Sequence, residues 1–148
     1  MNRQDYHKNK RAEAGQSLLE FAIMMIILLI ILGGVLDLGR AYFAYVALED
    51  AVGEGALYAS LNPTCINSSS GAGCADPNNI RWRTLNESPA GVVISTSMEV
   101  QVICPDHTPG QLVTVTATYS HTLWTPVIGS IVGSNRLPLR AQASQTIQ

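Results

Sequence analysis

Charge is scarce in this chain: only 14% of its 148 residues are Asp, Glu, Lys or Arg, and the formal net charge is −2. Past Arg40 the imbalance is acidic, with Arg81, Arg83, Arg136 and Arg140 against Glu49, Asp50, Glu54, Asp76, Glu87, Glu99 and Asp106. No basic stripe and no aromatic-rich basic run occurs there, so nucleic-acid binding is not expected. The usual marks of catalysis are also missing. There is no Gly-rich phosphate loop, paired-carboxylate motif or Cys-x-x-Cys. His107 and His121 sit in or beside strand–turn sequence with no nucleophile motif next to them. Glu49-Asp50 would be adjacent on a helix and point to different sides. The sequence reads as neither an enzyme nor a cofactor-binding protein.

What the chain has in quantity is one apolar run. From Phe21 to Leu36 no residue is charged, and Leu, Ile, Val and Phe fill most positions. Each such side chain favours membrane insertion by roughly 0.3–0.6 kcal/mol, together on the order of 5 kcal/mol. Glu20 opposes this, but a charge even at the helix centre costs about 2.5–3.5 kcal/mol, and Glu20 lies near one end. Insertion wins. As a helix, Leu18 to Leu36 is about 28 Å long, close to the hydrocarbon thickness. Gly33-Gly34 interrupts the run, but no Ala-x-Ala pattern follows, so a retained membrane helix is expected rather than a cleaved secretory signal. Arg3, Lys8, Lys10 and Arg11 precede the run and only Arg40 closely follows it. The N-terminus is therefore expected in the cytoplasm, with the residues after Leu36 exported.

A carboxylate at the edge of such a segment is a functional candidate by default. It belongs to the stretch Lys10-Arg11 … Gly15-Gln16-Ser17-Leu18-Leu19-Glu20-Phe21, which resembles the cleavage region of type IV prepilins. Asp37-Leu38-Gly39-Arg40-Ala41-Tyr42 and Glu54-Gly55-Ala56-Leu57-Tyr58-Ala59 extend the likeness to the TadE-like proteins of tight-adherence (Flp) pilus systems. The resemblance implies that a prepilin peptidase cuts between Gly15 and Gln16. It also implies that Glu20, beside Phe21, pairs with the terminal amine of a neighbouring subunit during assembly. Glycine suits a peptidase that must seat the backbone closely, and a carboxylate at low dielectric needs a cation. The plainer alternative is that Glu20 snorkels to the interface.

Beyond the membrane, Leu38, Tyr42, Tyr45, Leu48, Val52, Ala56 and Ala59 recur at spacings of four and three, which predicts an amphipathic continuation of the helix. Asp37 and Arg40 are expected to pair on its surface. Gly53 and Gly55 weaken the last turns, which predicts close approach of another element. Residues 62–90 are loop-like, rich in Gly, Ser and Asn, with a short helix over Asn78–Leu85. Strands are predicted over Val92–Cys104, Leu112–Tyr119 and Leu137–Ile147, with the Pro105–Gly110 turn making the first two a hairpin. The apolar stretch Leu123–Gly133, broken by Pro126 and Gly129, reads as a docked loop or short helix.

Three cysteines on the oxidising side allow one bridge and leave one over. Cys65–Cys74 would close a short loop; a bridge from either to Cys104 would tie that loop to the sheet and is slightly favoured. A metal site from Cys104, Asp106 and His107 would lack a second ligand pair, and none is expected.

The fold class is thus α+β: a long N-terminal helix, half membrane-spanning and half amphipathic, packed on a small antiparallel β-sheet in the manner of a type IV pilin. Residues 1–15 form a cytoplasmic leader, 16–36 the transmembrane helix, 37–60 its amphipathic continuation and 61–148 an exported β-rich domain. The resemblance implies a minor pilin or pseudopilin of the inner membrane, working with a prepilin peptidase, other pilins and the inner-membrane assembly platform in surface adhesion. The competing class is a single-pass anchored binding module that does not polymerise.

Overall fold

A computed structural model describes residues 3–86 and 98–148, with side chains from Gly15 onward except Val127 and Val132. One helix, α1 (Arg3–Leu61), runs without a break through the apolar run and on to the sheet. A loop and the two-turn helix α2 (Ile80–Asn86) follow. Then come β1 (Met98–Ile103), β2 (Leu112–Thr122), the short helix α3 (Pro126–Val132) and β3 (Arg136–Thr146). The strands form an antiparallel sheet in the order β1-β2-β3. Met98 pairs with Tyr119, Val102 with Val115 and Val115 with Ala143, which sets the register. The first six residues of the strand predicted from Val92 lie outside the described residues; the remainder is β1.

Strand alternation decides the core. Val113, Val115 and Ala117 of β2, with Ala141 of β3, turn toward α1 and are buried. Tyr119, Leu139 and Ala143 pack partly buried around them. The opposite face is polar, and there Thr114 and Ser144 share a cross-strand hydrogen bond of 2.8 Å. From α1 the core receives Ala47, Leu48, Val52, Ala56 and Ala59.

The expected stripe on α1 is therefore right only in its second half. Leu38 and Tyr42 are exposed, and Tyr45 is half-buried. The buried face instead runs through Asp37, Ala41, Ala44, Leu48, Ala51, Gly55 and Ala59, again at spacings of three and four. Small side chains win this face because they let the helix axis lie close to the sheet. The larger Leu38, Tyr42 and Phe43 are left outside.

Gly55 shows how close the approach is. A Cβ there would collide with the Thr84 hydroxyl of α2 and lie 3.4 Å from Val115 Cγ1. Gly53, on another face, meets nothing within 4 Å, so the close approach expected at both glycines occurs at one.

The disulfide joins Cys65 to Cys74 and leaves Cys104 free, not the favoured bridge from loop to sheet. The loop has its own route to the body of the fold. Ile80 and Arg81 donate backbone hydrogen bonds to the carbonyls of Cys65 and Ile66, and buried Asn79 donates to Cys74 O at 3.1 Å. The short bridge closes a loop already held by these bonds.

Candidate functional site

The N-terminal motif lies on the exposed surface of α1. Gln16, Glu20 and Phe21 are all exposed on the helix surface, and the Gln16 side-chain amide donates to Glu20 Oε1 at 3.3 Å, one turn away. A Cβ at Gly15 would meet nothing within 4 Å. The helix around it is thus open to other molecules on this side. Along the apolar run, Ile23, Ile27, Leu28, Ile31 and Val35 are likewise exposed, so among the described residues nothing covers these side chains.

The second cluster forms where the apolar run ends. Asp37 is buried, with 2% of its surface exposed. Its carboxylate accepts the backbone N–H of Trp124 at 3.1 Å, the backbone N–H of Thr125 at 2.8 Å and the Thr125 hydroxyl. Arg40 Nη1 lies 3.5 Å from Asp37 Oδ1, and its guanidinium sits 3.8 Å over the Trp124 ring. The expectation of a surface pair needs correcting. Arg40 reaches Asp37, but the carboxylate is turned inward and holds the turn that starts α3. The Thr125 hydroxyl bond, first, keeps Asp37 below its usual carboxylate range. Burial opposes it, and the two backbone bonds and Arg40 add to it.

Trp124 and Thr125 were not visible as partners of Asp37, being 87 and 88 residues away. A local signal was present: Thr125 followed by Pro126 is an N-cap with proline in the first turn. Thr125 does sit at the N-cap, yet its side chain makes no capping bond because its hydroxyl is given to Asp37.

Above this cluster lies His121, 5% exposed, its ring 6.2 Å from that of Tyr119. Burial, then Arg40, lowers its pKa, with Asp37 opposing. Because the folded value lies below the unfolded one, the unfolded chain binds more protons. The neutral ring's contribution is complete above about pH 6.5 and is lost as pH falls through the depressed value. Thermal unfolding of the detergent-solubilised chain should therefore show a fall in Tm beginning near pH 6.5. In His121→Gln that segment of the profile should be flat; a wild-type profile level down to the carboxylate range would contradict the assignment.

Comparison with known proteins bears on the helix. Residues 15–57 match the family model described as TadE-like protein. No curated protein and no solved structure gave a match. The matched segment begins at Gly15 and runs through Glu20, Asp37, Arg40 and Gly55. Its apolar half is long enough to cross a membrane, which fits single-pass anchoring. The match ends inside α1, so the sheet lies beyond the matched segment. Cys104 is partly buried, and burial followed by Asp106 raises its pKa.

Proposed function

We propose that the chain is a minor pilin or pseudopilin that is processed between Gly15 and Gln16 and takes part in assembling or priming a tight-adherence pilus used in surface adhesion. The observation that carries this reading is the TadE-like match beginning at Gly15, with the exposed carboxylate of Glu20 five residues on. Cleavage creates an ammonium on Gln16, and the Glu20 carboxylate of an adjacent subunit is its partner. In the uncut chain the neutral Gln16 amide donates to Glu20, a weak substitute for a cation. The N-terminus faces the cytoplasm and the sheet domain lies outside the inner membrane. Prepilin peptidase, the other pilins of the system and the inner-membrane assembly platform are the partners.

The test is peptide mass spectrometry of the membrane fraction and of sheared surface material, in wild type and Gly15→Ala. The expected mature chain begins at Gln16, occurs in both fractions and is absent from the variant. A chain that keeps residues 1–15 beside an active prepilin peptidase would defeat the pilin reading.

A further inference from the structure

The seven residues of α3 carry no charge, although Ile131 is 79% exposed and the neighbouring Trp124 is 75% exposed. Among the described residues α3 makes no extensive contact with the strands and adds nothing to the core cluster. Its seat is the apolar run of α1. The Thr125 methyl lies 2.8 Å from where a Gly33 side chain would begin, and Ile128 Cδ1 lies 3.1 Å from the corresponding point at Gly34. Thr125 and Pro126 share an open apolar groove with Ile26, Leu29 and Ile30. The glycine pair that interrupts the run is thus the notch that admits α3.

Depth follows from helix geometry. Ile30 and Ile26 precede Leu36 by about 9 and 15 Å along the axis, at 1.5 Å per residue. A bilayer that covers Leu18–Leu36 therefore covers the start of α3 as well. Backbone in such a place must have its polar groups paired within the protein. The non-helical entry to α3 meets that demand. Leu123 N–H donates to Asn135 O at 2.9 Å, Asp37 accepts from Trp124 and Thr125, and Pro126 has no N–H. Within the helix, Gly129 N–H donates to Thr125 O and the Ser130 hydroxyl to Pro126 O. Trp124, under the Arg40 guanidinium at the level of Asp37, sits where interfacial tryptophans collect.

We propose that α3 is a second membrane-contacting element, lying in the leaflet on the sheet domain's side. Trp124 sits at headgroup level, and a phospholipid acyl chain fills the groove between α3 and α1. This rests on reading the apolar run as membrane-spanning.

The test uses the full chain with Trp82→Phe, which leaves Trp124 as the one tryptophan. The chain is reconstituted into phosphatidylcholine vesicles whose acyl chains are brominated near the headgroup. Trp124 is expected to lose about half its emission relative to unbrominated vesicles, as an interfacial ring should. Absence of bromine quenching overturns the proposal. If aqueous acrylamide then quenches, α3 stands in water; if neither quenches, protein covers it, a second copy included. A second chain, with Leu28→Trp, Trp82→Phe and Trp124→Phe, reports on the span itself. Quenching of that probe by deep-brominated lipid without quenching of Trp124 sinks only the α3 proposal. Quenching of neither sinks the spanning reading with it.

Discussion

Asp37→Ala should lower the stability of the folded chain by about 3 kcal/mol, far more than a surface ion pair accounts for. An exposed i,i+3 pair contributes roughly 0.2–0.5 kcal/mol, and were Asp37 only the partner of Arg40 the loss would be of that size. The carboxylate instead receives two backbone N–H groups and a hydroxyl from the turn before α3. A hydrogen bond to a charged acceptor is worth roughly 1.5–3 kcal/mol, and donors left unmatched add their desolvation. Solvent screening beside the exposed Trp124 reduces the sum. Arg40→Ala is the control. It removes a cation–π contact worth about 0.5–1 kcal/mol and one ion pair, and leaves the turn held. Thermal unfolding in one detergent, followed by circular dichroism, ranks the two. Equal and small losses would reduce Asp37 to a surface charge.

Gly55 and Gly53, two residues apart on α1, should respond to alanine in opposite directions. Intrinsic helix propensity favours both changes by up to ~1 kcal/mol. At Gly53 nothing stands within 4 Å of the new methyl, so Gly53→Ala should stabilise. At Gly55 the methyl meets Thr84, which is fully buried and cannot swing away freely because its hydroxyl donates to Ile80 O at 2.9 Å. Overpacking of this kind costs typically 1–3 kcal/mol. A net loss of about 1–2 kcal/mol is therefore expected for Gly55→Ala. Gly55→Leu, which also drives toward Val115, should release α2 from α1 altogether. The readout is the pair of Tm shifts under one condition, and shifts of the same sign would refute the close approach.

The long helix and the strand alternation were legible in the sequence because each is periodic or contiguous, and the Gly15–Phe21 stretch stood out because it is contiguous. An apolar run without charge, Val113-Val115-Ala117 in step, and Gly15 five residues before Glu20 need no knowledge of the fold. The face of α1 that meets the sheet was harder. Hydrophobic periodicity ranks Leu38 and Tyr42 above Ala41 and Ala44, whereas close helix–sheet packing ranks them the other way. Asp37 was read with its nearest opposite charge because its true partners come from a turn that only the tertiary fold brings near. The disulfide was weighed by how much a bridge could join. The loop instead reaches the body through Asn79 and backbone bonds, which leaves Cys65 and Cys74 to pair locally.

The alanine seam of α1 separates two kinds of mutational tolerance on a single helix. On the inner side, Ala41, Ala44, Ala51 and Ala59 are buried, so enlarging any of them disturbs the packing of the fold itself. On the outer side, Leu38, Tyr42 and Phe43 can be exchanged with little effect on the fold, because they are largely exposed and the ring contact of Tyr42 and Phe43 is with each other. Drift in the outer residues can therefore retune what the helix meets while the inner seam stays fixed, so folding and recognition are free to vary separately.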